Sequence, residues 1–316
     1  MTLLGQSYKN ISVVQPVDID SLVGKTPMIP LQRITKEISP QVMVLAKAEW
    51  FNPGGSIKDR PALNIIRTAI ARGELTKGKR LLDSTSGNMG IAYATFGAAL
   101  GIPVTLTIPA NASPERLILL RALGAELILT DPLEGSDGAL LVARRMAVEN
   151  PDSYYYANQY DNPANWQAHY HSTGPEIVDQ TNGAVTHFVA GLGTSGTLTG
   201  SGRFLREYNP KIRLIAVQPA SPFHGLEGLK HMATAIQPGI YRPEIIDQTL
   251  EIETEAARAM TRRLAREEGL FVGISSGAAA VAALQVAGEL ERGVVVTVFP
   301  DAGYKYLSDT KLWEEK

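Results

Sequence analysis

Short apolar runs rich in valine, isoleucine and leucine alternate along this chain with longer stretches whose apolar residues recur at helical spacing. That rhythm predicts parallel strands joined by crossover helices. Strands are expected over residues 42–47, 80–83, 104–108, 126–129, 186–190, 213–218 and 294–299. Helices are expected over 62–71, 90–100, 114–123, 138–150, 196–208, 254–268 and 277–290. Each strand is short enough to be a buried one. Gly124 follows Arg121-Ala122-Leu123 and precedes Ala125-Glu126, so it reads as the left-handed cap that ends one helix and feeds the next strand. The fold class is α/β. The first forty residues carry Pro16, Pro27, Pro30 and Pro40 and read as an arm of short extended pieces that packs on one domain or another.

Composition sets bounds on partners. A chain of 316 residues has room for two domains or one large α/β unit. Apolar residues make up 44% and charged residues 20%, close to the soluble globular average. The net charge is −2 with both signs interspersed, which leaves no footprint for nucleic acid or an anionic membrane, so small molecules are the expected partners. No run approaches ~18 unbroken apolar residues, and the first ten residues lack a basic region leading into an apolar one, so a cytoplasmic protein is expected. With no cysteine, disulfides, thiolate metal sites and a cysteine nucleophile are excluded. His169, His171, His187, His224 and His231 form no metal-ligand pattern. No metal is expected, and His169 and His171 read as structural. Tyr154-Tyr155-Tyr156 lacks the basic groove of a nucleic-acid stacking platform and reads as a core and interface segment.

Four segments carry candidate chemistry. In Asn52-Pro53-Gly54-Gly55-Ser56-Ile57-Lys58-Asp59-Arg60-Pro61 a lysine follows a rigid turn at the mouth of a helix, where proline is tolerated. Lys58 is there either a cofactor anchor or a solvated lysine. Asp83-Ser84-Thr85-Ser86-Gly87-Asn88-Met89-Gly90 joins a strand to an alanine-rich helix. Its first backbone N–H groups point outward, able to take a carboxylate, though an unliganded N-cap has the same composition. Gly191-Leu192-Gly193-Thr194-Ser195-Gly196-Thr197 offers converging N–H groups and hydroxyls with little bulk, which reads as a phosphate cradle. It is neither a Walker loop nor the usual dinucleotide fingerprint. Finally, Gly273-Ile274-Ser275-Ser276-Gly277 starts a small-residue helix. It matches the hydrolase Gly-x-Ser-x-Gly spacing, but follows a helix-like segment in place of the strand a nucleophile elbow needs.

A lysine anchor, an anion-binding Ser/Thr/Asn loop, a glycine-threonine cradle and a later serine, in that order, resemble the pyridoxal phosphate enzymes of fold type II. Within them the match is to the cysteine synthase and cystathionine β-synthase group, with a cysteine synthase B-like pattern. It extends to Ser172-Thr173-Gly174-Pro175-Glu176-Ile177 and Phe299-Pro300-Asp301-Ala302-Gly303-Tyr304-Lys305-Tyr306-Leu307-Ser308, so it covers nearly the whole chain. The resemblance implies a tryptophan synthase β-subunit-like architecture of two domains, each a mostly parallel twisted sheet flanked by helices. The smaller, mobile domain would span 45–160 and carry the substrate-carboxylate loop. The larger would comprise 1–44 and 161–316 and carry the cradle. The cofactor implied is pyridoxal 5'-phosphate, held by Lys58 as an internal Schiff base. Lys58 would also be the catalytic residue, removing the substrate α-proton. Asn88 would bond the ring hydroxyl, Gly193, Thr194, Ser195, Gly196 and Thr197 the phosphate, and Ser275 the pyridine nitrogen. Thr85, Ser86, Gly87, Met89 and Gln159 would meet the substrate. A neutral serine at the ring nitrogen favours β-elimination over deeper carbanion chemistry. The implied reaction is therefore β-replacement on an activated L-serine through an aminoacrylate, with sulfide giving L-cysteine. A homodimer in the cytoplasm is implied as well.

One position departs from the family pattern: Met89 stands where most cysteine synthases carry threonine. A similar aliphatic substitution, together with a run like that at 165–171, is found in the branch that makes a diaminopropionate precursor from O-phosphoserine, which this chain resembles there. Residues 219–224 hold no arginine, so O-acetylserine is expected over O-phosphoserine as donor, with His224, Lys230 or Arg121 as possible replacements. Cystathionine β-synthase activity and a catalytically silent, cofactor-binding regulatory protein are the other readings.

Overall fold

A computed structural model of the chain describes residues 17–85 and 87–314. In chain order its strands are β1 (Met28–Pro30), β2 (Val42–Ala48), β3 (Arg80–Ser84), β4 (Val104–Pro109), β5 (Glu126–Thr130), β6 (Tyr154–Tyr156), β7 (His187–Gly191), β8 (Arg213–Pro219), β9 (Gln248–Ile252) and β10 (Gly293–Phe299). The helices are α1 (Asp59–Ala71), α2 (Asn88–Leu100), α3 (Pro114–Ala122), α4 (Gly135–Glu149), α5 (Pro163–His171), α6 (Thr173–Gln180), α7 (Gly196–Tyr208), α8 (Thr254–Arg263), α9 (Ile274–Gly288) and α10 (Thr310–Trp313). All seven expected strands and all seven expected helices are present, with ends displaced by a few residues. The helix expected to run to 268 changes to a π-helical turn at Leu264–Glu268 before Gly269 ends it with φ 71°. Gly124 has φ 82°, and the N–H of Ala125 returns to the carbonyl of Leu120 at 3.0 Å, closing the helix end as the sequence suggests.

The strands form a six-stranded sheet, order β1-β2-β10-β7-β8-β9, and a four-stranded sheet, order β5-β4-β3-β6. Every pairing is parallel except that of β1 with β2. In the larger sheet alternate residues feed opposite cores: Ile215 and Val217 point to the α8–α9 side, Leu214 and Ala216 to the α6–α7 side. Both faces are buried, which is why these strands read as continuous apolar runs. The smaller sheet has its own core of Leu81, Leu106, Ile108, Tyr93 and Phe96. The expected domain start at 45 falls inside β2, a strand of the larger sheet. The chain therefore crosses to the smaller layer only after Ala48. The proline-bearing arm joins the larger sheet through β1, and Glu268 accepts the N–H groups of Gln32, Arg33 and Ile34 at 3.0, 2.6 and 2.9 Å. Among the described residues no helix is long and apolar enough to cross a membrane.

Candidate active site

Parallel sheets bring the carboxyl ends of their strands, and the loops that follow, to one edge. Here the loops after β2, β3, β7 and β10 meet around a cavity of ≈ 720 Å³, lined among others by Lys58, Asn88, Gln159, Thr194 and Ser275. Lys58 is placed by its turn. Gly55 (φ 73°) bends the chain, and a Cβ on Gly54 would sit 2.6 Å from Oδ1 of Asp59, whose other oxygen accepts the Gly54 N–H. The N–H of Ile57 then bonds the Pro300 carbonyl at 2.9 Å, tying this loop to the end of β10.

Behind the turn lies a buried ion network. Arg60 bridges Glu49 (Nε to Oε2, 2.7 Å) and Glu176 (Nη1 to Oε1, 2.7 Å). Lys47 meets Glu176 at 2.7 Å and Thr26 Oγ1 at 2.7 Å. Asn52 donates to Glu49 Oε2 at 2.9 Å. Lys58 differs from all of these: no hydrogen bond or ion pair of its Nζ occurs among the described residues. Burial pushes its pKa down, against a weaker pull upward from Asp301 and Glu49, which favours the neutral amine relative to a solvated lysine.

Asn88 opens α2 beside this amine. Its Nδ2 donates to Asp301 Oδ2 at 2.7 Å, and its Oδ1 accepts from Lys305 Nζ at 2.7 Å. Lys305 also reaches the Gly54 carbonyl at 3.0 Å, bridging the two loops. The amide is therefore held in one orientation with its second N–H left for a ligand. Asp301 takes the Tyr306 hydroxyl at 2.6 Å, and burial raises its pKa. Gly87 caps α2, Met89 is buried at 2% exposure in the smaller core, and Thr85 accepts the Gly87 N–H at 3.2 Å. Gln159 is buried and donates to the Ser84 carbonyl at 3.0 Å. Ser86 lies outside the described residues.

The cradle loop opens α7. Ser195 adopts a left-handed backbone, φ 68°, and its buried Oγ has no hydrogen-bond partner. A Cβ on Gly193 would lie 2.4 Å from the Gly228 carbonyl, and one on Gly196 would lie 2.0 Å from Asn165 Oδ1. Only glycine fits either place. With the unpaired N–H groups and dipole of the α7 terminus added, this is a concave donor site suited to a doubly charged oxyanion.

The family described as pyridoxal-phosphate dependent enzyme matches residues 19–301. This chain belongs to the pyridoxal phosphate-dependent enzymes. Among curated relatives, "Cysteine synthase" of Aquifex aeolicus is 54% identical over 300 residues, covering 93% of this chain and 91% of the relative. "Cysteine synthase B" of Pseudomonas aeruginosa is 42% identical, covering 93% and 97%. Among solved structures, O-acetyl serine sulfhydrylase isoform 3 from Entamoeba histolytica superposes with TM-score 0.90 at 35% identity, covering 97% and 96%. The fold type II architecture and the pyridoxal phosphate cofactor are thus those of the family. The residues present fit the cofactor: an unpartnered amine for its aldehyde, and an orphaned hydroxyl in a glycine cradle for its phosphate.

Every expected site residue that the structure describes lines this one cavity, and of the replacement cations His224 and Lys230 do so while Arg121 does not. The sequence reading missed the groups that hold them. Lys305 and Asp301 clamp Asn88, Arg116 pairs with Glu227 at the cavity edge, and Asn165 and His169 stand behind the cradle. The first two lie in a segment already singled out as resembling the family, so only their partners were hidden.

Proposed function

We propose that this enzyme replaces the β-substituent of O-acetyl-L-serine with sulfide to give L-cysteine. The observation that carries the reading is Lys58: a half-buried amine without a partner among the described residues, lining one cavity with a donor loop that suits a carboxylate. When bound, pyridoxal phosphate supplies an electron sink for charge left on the substrate's Cα. Lys58 carries the cofactor and, as a neutral amine, moves the α-proton. Thr85, Gly87 and the first N–H groups of α2 hold the substrate carboxylate, where the helix dipole favours an anion. Met89 gives that end an apolar wall. Gln159 and Asn88 orient the substrate and the ring hydroxyl, and Ser275 offers the ring nitrogen a neutral hydroxyl. The unit carrying β3–β6 closes over the bound substrate and excludes water. The working form is a homodimer in the cytoplasm.

An acetate leaving group suits the cavity better than a phosphate. No arginine lines it, and Lys230 is engaged by Asp137 at 3.8 Å and lies 4.9 Å from the Tyr160 ring centroid. Phosphate esters normally call for a free Arg or Lys. Steady-state rates with O-acetylserine and O-phosphoserine, each with sulfide and with homocysteine, test this directly. The expected result is cysteine formation with O-acetylserine as the better donor. A large preference for the phosphate ester overturns the donor, and failure to form cysteine from either overturns the reaction.

A further inference from the structure

The segment Asn165-Trp166-Gln167-Ala168-His169 forms the middle of α5, a helix whose buried face is made of Ala164, Asn165, Ala168 and His169. Two of those four are polar, which is costly unless their hydrogen bonds are met. Asn165 Nδ2 and both ring nitrogens of His169 find partners, one of each residue's in the cradle, while Asn165 Oδ1 is left without one among the described residues. Asn165 Nδ2 donates to Thr194 Oγ1 at 3.1 Å and to the Gln159 carbonyl at 2.7 Å. His169 Nε2 lies 3.4 Å from Thr197 Oγ1, and its Nδ1 lies 2.9 Å from Thr173 Oγ1. Residues four apart share one helix face, so one turn of α5 reaches both cradle threonines.

The directions of these bonds follow from donor and acceptor counts. Thr194 Oγ1 accepts from Asn165 and, at 3.3 Å, from the Gly196 N–H. A hydroxyl has two acceptor lone pairs and one proton. With both lone pairs used, the Thr194 proton is left to point into the cavity. For His169, burial drives the pKa down to about 3, with Arg60 adding to the effect, so the ring is neutral and carries one N–H. Thr173 is fully buried, and His169 Nδ1 is the acceptor its hydroxyl finds. The ring proton therefore sits on Nε2 and faces Thr197, whose own proton is freed toward the cavity.

We propose that Asn165 and His169 are positioning residues for the cofactor phosphate: by donating to Thr194 and Thr197 they turn both hydroxyl protons toward it. His169 does so as a neutral donor. The inference rests on the assignment of the phosphate to residues 193–197.

The test compares apoenzyme affinity for pyridoxal phosphate with that for pyridoxal, which lacks the phosphate, by fluorescence titration. His169→Asn places its amide near the old Nδ1 and removes the donor to Thr197; His169→Gln reaches the old Nε2 and restores it. His169→Asn is expected to bind pyridoxal phosphate ~10-fold more weakly, the scale of a lost hydrogen bond to a charged group, with pyridoxal binding unchanged. His169→Gln is expected to stay within about 2-fold of the parent for both ligands. Equal behaviour of the two variants, or equal losses for both ligands, overturns the proposal. Ser195→Ala is the reference for the cradle itself. If it weakens only the phosphorylated ligand while His169→Asn changes nothing, the cradle stands and the role of His169 falls. If Ser195→Ala and His169→Asn are both silent, the phosphate assignment falls with it.

Discussion

Two lysines eleven positions apart, Lys47 fully buried and Lys58 half-buried at the cavity, have opposite surroundings. Lys47 spends its ammonium on the Thr26 carbonyl and hydroxyl, the Gln180 amide oxygen and the Glu176 carboxylate, at 2.7–3.1 Å. Lys58 spends nothing. Burial lowers the pKa of both amines, so desolvation alone does not separate them. What separates them is the set of partners. A saturated ammonium fixes neighbouring elements in place, whereas an unpaired amine beside a cavity is free to bond to a ligand, and the first arrangement here supports the second. Glu176, Arg60 and Glu49 pass from Lys47 to the turn that presents Lys58, so charge is consumed behind the turn and left unconsumed in front of it.

The sharpest way to break this contrast is to exchange the two losses. Lys58→Ala is expected to abolish the visible absorbance of lysine-bound cofactor and to lower cysteine formation by ~10³-fold, within the range for removing a positioned acid–base group. Folding stability of the apoprotein should change little. Lys47→Met is expected to do the reverse. The absorbance persists, while the free energy of unfolding drops by about 3 kcal/mol, the order for breaking a buried ion pair and leaving one charge uncompensated. Denaturant melts with absorbance spectra of the same samples read both quantities. If Lys47→Met bleaches the cofactor as completely as Lys58→Ala, the two lysines are not different in kind.

Much of this is legible in the sequence. The apolar runs located every strand that lies inside the two sheets, because such strands have two buried faces and no polar alternation, and one edge strand, β5, whose Leu127-Ile128-Leu129 run is apolar despite partial burial. Three strands escaped for the opposite reason: β1 and β9 lie at the edges of the larger sheet and β6 at an edge of the smaller, where burial is partial and the pattern weak. Helix α5 escaped because half its buried face is Asn165 and His169, and a search for apolar stripes passes over it. Helix α6 begins Thr173-Gly174-Pro175, which reads as a break yet suits a first turn. The same logic governs the site. Lys58, Asn88 and the cradle were visible because their chemistry is local, carried by consecutive residues. Their supports were not, since the partners of Asn88 lie more than two hundred positions away at Asp301 and Lys305. Histidine 169 read as structural because its contact to Thr197 depends on how α5 crosses α7.

The smallest expected effect, and the finest test of the contrast, lies in pH. Glu176 belongs to the saturated network: burial raises its pKa, but Arg60 and Lys47 outweigh that and hold it at about 2. Its folded-state pKa is depressed, so its contribution is complete above the unfolded value near 4.5 and is lost only as pH falls toward 2. Asp83 is fully buried in β3, next to the cavity-lining Ser84. It accepts from the Ser84 N–H, the Tyr93 hydroxyl and the Gln159 N–H at 2.8, 3.0 and 3.2 Å, yet burial without a cation raises it from 3.8 to about 7. Its sign is opposite. Between those two values the folded state holds a proton that the unfolded state releases, so stability falls as pH rises and levels off above about 7. Over pH 5–7 the Asp83 contribution changes while that of Glu176 does not. Asp83→Asn, which mimics the protonated carboxyl, is expected to flatten the fall in Tm across this window. The difference is on the order of 1–2 kcal/mol, or several degrees. Glu176→Gln is expected to lower Tm at every pH in the window without changing its slope. A slope that stays with Asp83→Asn and disappears with Glu176→Gln reverses the assignment of paired and unpaired charge on which the contrast of the two lysines stands.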